Sequence, residues 1–316
     1  MSDRTPNMAH EGEGLPRRGL LKCMAWAGTG VLWTVSGGVA ASSLIGGAAQ
    51  AAEGAALSFV QISDSHIGFK KAANPDPVST LRETVAKIRA LPVQPAFVLH
   101  TGDITHLAAP DQFDTAQTVL SEIGLPIHFV PGEHDILGGT DPTPFLGRFG
   151  KGSQGDGWYS FDAGGAHFIA LVNVVRLGDR GMGTLGEAQL AWLKDDVAHL
   201  SASTPVVVFS HFPLWALYPD WGWGTADGAE ALQTLNRFGS VTVLNGHIHQ
   251  VQQKIEGAVT FHTARSTAYP QPAPGEGAGP GPLVVPPEQL HGFIGLTQVN
   301  VRQSPGPLAI VDQALA

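Results

Sequence analysis

Phe59-Val60-Gln61-Ile62-Ser63-Asp64-Ser65-His66 sets the pattern from which the rest of the chain is read. A short apolar run stops abruptly at residues that ligate metals, and the same event recurs four times. Ala96-Phe97-Val98-Leu99 runs into His100-Thr101-Gly102-Asp103. Ile127-His128-Phe129-Val130 runs into Pro131-Gly132-Glu133-His134-Asp135. Val206-Val207-Val208-Phe209 ends in Ser210-His211, and Val241-Thr242-Val243-Leu244 ends in Asn245-Gly246-His247-Ile248-His249. Runs of β-branched and aromatic residues bounded by Gly and polar residues are expected to be buried strands. Ligands of open α/β sheets collect beyond the carboxyl ends of such strands. The five clusters should therefore meet on one rim, and a rim of Asp, Glu and His is a metal site.

Asp64, His66, Asp103, Glu133, His211, His247 and His249 are the candidate ligands. Mixed oxygen and nitrogen donors suit Mn, Fe, Zn or Co rather than a soft thiolate metal. Seven donors are too many for one four-coordinate ion. They fit two divalent or mixed-valence ions that share a carboxylate. Such a pair, roughly 3.5–4 Å apart, clamps the attacking and leaving oxygens of a displacement at phosphorus.

The order Asp64-Ser65-His66, Gly102-Asp103, Gly132-Glu133-His134-Asp135, His211 and Gly246-His247-Ile248-His249 resembles the signature of the calcineurin-like metallophosphoesterase superfamily. The resemblance spans roughly residues 57 to 265 and looks most like the branch with class III cyclic-nucleotide phosphodiesterases. It implies an α/β fold, a four-layer αββα sandwich of two mixed β-sheets flanked by helices. It implies that Asp64, His66 and His249 hold one ion, that Asp103 bridges, and that His211, His247 and residue 133 hold the other. It implies that His134 is the general acid and that Asp135 orients its loop. The implied reaction is hydrolysis of a phosphomonoester or phosphodiester by a hydroxide bridging the two ions. Purple acid phosphatases carry a Tyr three residues after the bridging Asp; here that position is His106, so no tyrosinate–iron centre is expected.

Glu133 departs from the family, which has Asn there. An ionised carboxylate cannot donate a hydrogen bond to a phosphate oxygen as an amide does. It also adds negative charge beside an anionic substrate. Against that, it is a better ligand for a hard or trivalent ion. The expectation is a retained binuclear centre with altered metal preference and a less highly charged substrate. The alternative is a weakly active or non-catalytic metal- or phosphate-binding protein.

Arg17-Arg18-Gly19-Leu20-Leu21-Lys22 resembles a twin-arginine export motif. The uncharged stretch from Cys23 to Ala52 follows, with Ala49-Gln50-Ala51 as a small-residue cleavage pattern. Residues 1–51 are therefore expected to be a signal peptide handled by the twin-arginine translocation machinery, with a periplasmic or secreted domain at 52–316. A retained membrane anchor is the competing reading, and no stable membrane partner is expected. Removing residues 1–51 takes 4 of 18 Lys+Arg and 3 of 27 Asp+Glu, so the charge becomes 14 − 24 = −10. That acidity, without a basic run, argues against a nucleic-acid polymer as partner; a small phosphate ester as substrate is what the family resemblance implies.

Helical spacing predicts helices over Val78–Ala90, Asp111–Ile123, Gly186–Leu200 and Gly228–Phe238. Trp158–Phe161 and His167–Val172 read as a hairpin turned at Ala163-Gly164-Gly165, and further strands are expected at Val251–Ile255, Val259–Thr263 and Phe293–Val301. Trp215, Tyr218, Trp221 and Trp223 form an aromatic loop that either stacks a flat leaving group or packs onto the domain. Residues 270–287 are rich in Pro and Gly and read as a surface loop rather than a flap. His106 lies on the rim, to contact substrate or orient a ligand. Arg265 reads as a surface residue rather than a phosphate contact, and Asn245 as support for its turn. His100, His128, His167, His199, His262 and His291 have no motif support.

Overall fold

A computed structural model describes residues 30–36, 39–45, 55–302 and 308–316. The twin arginines and the Ala49-Gln50-Ala51 pattern lie outside the described residues. The chain divides into two compact units, 1–47 and 48–316. In the first, β1 (Gly30–Ser36) and β2 (Val39–Ile45) pair as an antiparallel hairpin. Among the described residues no helix is long and apolar enough to cross a membrane.

The second unit is an αββα sandwich of two mixed sheets. One sheet has five strands in the order β13 (Ala309–Ala314), β12 (Gly295–Arg302), β3 (Ala55–Ile62), β4 (Val98–His100), β5 (Ile127–Phe129). The other has six, in the order β10 (Gln253–Glu256), β11 (Val259–Thr263), β9 (Val241–Asn245), β8 (Val206–Ser210), β7 (Ala166–Ala170), β6 (Tyr159–Ala163). β3, β4 and β5 run parallel, as do β7, β8, β9 and β11.

The two-residue period of a strand assigns the core. Val60, Ile62 and Val98 face α1 (Pro77–Arg89), α2 (Pro110–Ser121) and α3 (Thr143–Phe149). Their neighbours Phe59, Phe97 and Leu99 point the other way, onto Phe168, Val207, Phe209 and Leu244 of the second sheet. On the far side Val206, Val208, Val241 and Val243 bury α4 (Glu187–Val197) and α5 (Gly228–Leu235). Runs buried on both faces thus build three apolar layers, which is why they lack polar alternation. The Pro residues do what their positions suggest. Pro77 opens α1 behind an Asp76 side chain that accepts from the Ser79 amide, and Pro110 opens α2.

Strand ends coincide. Ile62, His100 and Phe129 share one level of the first sheet, and Ser210, Asn245 and Thr263 one level of the second. Gln61, buried between the sheets, donates to Thr101 Oγ1 (3.1 Å) and to the Asn245 carbonyl (3.1 Å), tying the two rims together. Asn245 in turn donates to the Ser210 carbonyl (3.2 Å), Ser210 Oγ (2.8 Å) and the Phe212 carbonyl (2.9 Å), which aligns the β8 and β9 ends.

His167, on β7, stands between Asp162 (2.8 Å) and Asp196 (2.9 Å). Burial pushes its imidazolium down, but the two carboxylates overcome this and raise its pKa. Asp196 is likewise held below the usual carboxylate range: burial opposes this, and His167 and Ser160 prevail. The raised His contributes fully below its ordinary 6.5 and loses its contribution as pH rises through its folded value; the lowered Asp contributes above 3.8. His167→Gln is therefore expected to lower Tm most near pH 5 and least above pH 8 in paired melts. An equal loss at both pH values contradicts the charged pair.

Candidate metal centre

All seven candidate ligands stand on loops that leave the carboxyl ends of parallel strands. Asp64 and His66 follow β3, Asp103 follows β4, Glu133 follows β5, His211 follows β8, and His247 and His249 follow β9. The structure brings them together. Asp64, His66 and His249 form one group of converging donor atoms, and Glu133, His211 and His247 a second. Asp103 Oδ2 lies between the groups, 3.4 Å from His66 Nε2 and 3.4 Å from His211 Nε2.

The loops reach these positions through strained backbone. Asp64 (φ 56°), His66 (φ 43°), Asp103 (φ 53°), His247 (φ 70°) and His249 (φ 54°) all adopt the left-handed region. Among the described residues only two other non-glycine residues do so. Such conformations cost about 1–3 kcal/mol each and persist where surroundings over-determine them. Here the surroundings are backbone bonds between neighbouring loops. Asp64 N donates to Gly102 O (2.9 Å) and His66 N to Asp103 O (2.9 Å). His134 N donates to Asp103 Oδ1 (2.9 Å), and His247 N to Asp64 Oδ1 (3.1 Å). Asp135 does not point at the ligand cluster. It accepts from the amides of Gly132, Ile104 and Thr105 and from Thr105 Oγ1, locking the β4 and β5 loops to each other. Gly132 is required by close approach: a Cβ there would collide with the Asp103 carboxylate and amide.

Second contacts fix the histidine tautomers. His211 Nδ1 donates to Thr101 O (2.6 Å) and His249 Nδ1 to Tyr269 O (2.6 Å), which turns each Nε2 lone pair toward the cluster. Burial, then His249, His134 and His106, hold His66 well below the usual imidazole pKa, so it is a neutral donor. Burial would raise the Asp64 and Glu133 carboxyls, but the histidines around them hold both low. His211 is pulled the other way: burial lowers it, and Asp103 and Glu133 raise it well above the usual value. Loading an ion at its Nε2 requires that proton to leave.

Three donor atoms of the second group test the fit to a metal. Glu133 Oε2, His211 Nε2 and His247 Nδ1 are buried and have no hydrogen-bond partner among the described residues. His211 Nε2 and Glu133 Oε2 lie 2.8 Å apart without hydrogen-bonding geometry. Buried polar atoms are satisfied in stable proteins. A cation at their common focus satisfies all three, and the donor set of carboxylates and imidazoles is the right chemistry for it.

Beside the cluster opens a cleft of about 400 Å³, lined by His106, Glu133, His134, His247, Trp221, Trp223, Phe69, Tyr269, Lys71, Gln271 and Pro280–Pro282. The aromatic loop divides: Trp221 and Trp223 face the cleft, whereas Trp215 packs on Phe261 in the sheet–helix core. The segment 270–287 is not simply a surface loop. Gln271 donates to His247 O (2.8 Å) and accepts from Gly281 N (3.1 Å), drawing Pro280–Pro282 against the cleft. Arg265 stays away and donates to Gly292 O. Tyr269 was not singled out by sequence reasoning. It stacks on His66 (4.9 Å) and meets Phe69 (4.3 Å) and His249 (4.7 Å) at a tilt, and only its place just beyond the last strand run hints at this.

The model of the family described as calcineurin-like phosphoesterase matches residues 57–251. The chain belongs to this family. The calcineurin-like domain is 27% identical over 218 residues to the serine/threonine-protein phosphatase CPPED1 of Danio rerio, covering 61% of this chain and 70% of that protein. It is 26% identical to a 3',5'-cyclic-nucleotide phosphodiesterase of Nostoc sp., covering 67% and 79%. Its fold is similar to that of a dimetal phosphatase from Danio rerio, with a TM-score of 0.64, 17% identity and coverage of 83% and 97%. As a calcineurin-like phosphoesterase the protein is a metal-dependent hydrolase of phosphoric ester bonds.

Proposed function

We propose that this phosphoesterase prefers monoanionic phosphodiesters to dianionic phosphomonoesters, and that Glu133 sets the preference. The observation that carries this is the position of Glu133, 2.8 Å from His211 Nε2 and 3.0 Å from His247 Nδ1, among the donors of the second group. Asp64, His66 and His249, with Asp103, would hold one ion; Asp103, Glu133, His211 and His247 would hold the other. When bound, two such ions supply a water made nucleophilic near neutral pH and charge to stabilise the phosphoryl oxygens.

The chain's own residues do the rest. Asp64, Asp103 and Glu133 carry three negative charges where the family's Asn would leave two. With two divalent ions the ligand set is then net +1 rather than +2. At about 5 Å and an effective dielectric of about 20, each extra negative charge on a substrate loses about 3 kcal/mol of attraction through that difference. The dianion pays twice what the monoanion does. His134 Nδ1 donates to His106 O (2.8 Å), so Nε2 is the atom that carries a proton to the leaving oxygen. Burial lowers its pKa, but Asp103, Glu133 and the His106 carbonyl raise it above the ordinary value. Trp221 and Trp223 offer apolar area to the leaving group. We further propose that the chain is exported through the twin-arginine route, on the strength of Arg17-Arg18 and the small-residue pattern at 49–51.

Glu133→Asn is expected to raise kcat/KM for p-nitrophenyl phosphate about tenfold or more relative to bis-p-nitrophenyl phosphate, with Mn²⁺ added. An unchanged ratio contradicts the charge argument. His134→Ala is expected to cut kcat by about 10²–10⁴-fold while metal content, measured by mass spectrometry, stays at the wild-type level. Retained turnover removes His134 from the acid role. Arg17→Lys with Arg18→Lys is expected to leave the protein in the cytoplasmic fraction of an expressing bacterium; unchanged export rejects that route.

A further inference from the structure

His211 and His249 hand their Nδ1 protons to backbone carbonyls. His66 does not. Its Nε2 faces the ligand cluster, 3.2 Å from His249 Nε2, and its Nδ1 lies 3.4 Å from His106 Nδ1. A neutral imidazole that ligates through Nε2 carries its proton on Nδ1. With an ion held at that Nε2, His66 would donate to His106 Nδ1, and the His106 ring would carry its own proton on Nε2. His106 lines the cleft, and its Nε2 has no hydrogen-bond partner among the described residues. The ring is not free to turn. Its backbone amide donates to Gln112 Oε1 (3.2 Å), Phe69 meets it edge-on at 5.2 Å, and His134 stacks on it at 4.7 Å and 15°.

Glu133 removes a donor at the cleft, since a carboxylate can only accept. His106 supplies one beside His134, on whose ring it stacks. Resting on the phosphoesterase reading above, we propose that His106 Nε2–H donates to a non-bridging phosphoryl oxygen of the substrate, in compensation for the amide that residue 133 lacks. The stacked pair then serves two oxygens of one phosphoryl group, His106 a non-bridging oxygen and His134 the leaving one.

The two nitrogens can be separated by substitution. Asn at 106 places an amide oxygen near the Nδ1 position and keeps the acceptor for His66. Gln places an amide N–H near the Nε2 position. His106→Asn is expected to keep wild-type metal content and to weaken inorganic phosphate, measured calorimetrically on the metal-loaded protein, by about tenfold to a hundredfold. KM for bis-p-nitrophenyl phosphate should rise with it, and His106→Gln should recover much of both. In a Glu133→Asn background the effect of His106→Asn should shrink, because the amide donor is back. Unchanged phosphate affinity in His106→Asn overturns the proposal. So does loss of metal together with phosphate affinity, which reduces His106 to a support for His66. Phosphate binding that follows the expected series in a protein inactive on every ester tested leaves the contact standing and removes the phosphoesterase reading instead.

Discussion

Three carboxylates, Asp64, Asp103 and Glu133, converge in one largely buried cluster without a Lys or Arg among their ion-pair partners in the described residues. Two like charges about 4 Å apart repel by about 4 kcal/mol even at an effective dielectric of about 20. The strength of the field is visible at Asp135, where burial and then Asp103 push the carboxyl up to about 6 in spite of several hydrogen bonds to it. Histidines and a few hydrogen-bond donors answer this charge among the described residues, and His66 is pushed toward neutrality by the same burial. Divalent cations are the charges that such a cluster requires, and the rest of the architecture positions it. Parallel strands end at one level, two sheets are pinned at their rims by Gln61, and the loops hold five residues in a conformation that most side chains avoid.

Much of this was legible in the sequence, because the fold and the site share one cause. A strand buried on both faces must be apolar until it ends, and in an α/β sheet the ligands stand where it ends. Ile62 against Asp64, and Leu244 against His247, show the transition within two or three residues. The helices were visible for the same reason: Leu81, Val85 and Ile88 can only share a face if the chain is helical. Val259–Thr263 agrees residue for residue, the helix at Gly228 starts where expected, and the other ends of the four expected helices moved by one to three residues, as caps and turns decide them locally.

What the sequence hid is set by contacts between distant segments. Tyr269 carries no motif, and its importance comes from packing against three rings from other loops. The 270–287 segment looked like a surface loop because Pro and Gly forbid a helix there; nothing local says that Gln271 ties it to the His247 loop. The aromatic loop could not be apportioned from composition, since Trp215 packs against Phe261 and Trp221 lines the cleft through contacts that no local pattern carries. The short helices Thr143–Phe149 and Leu290–Phe293 are too brief for a periodic signal, and the first forms where Phe145, Leu146 and Phe149 find a surface already built.

Crystals of the protein loaded with Mn²⁺, measured for anomalous scattering at the manganese edge, address the central claim most directly. Two peaks are expected roughly 3.5–4 Å apart, one among Asp64, His66 and His249, the other among Glu133, His211 and His247, with Asp103 touching both. One peak alone, or an ion seated away from Asp103, contradicts the account.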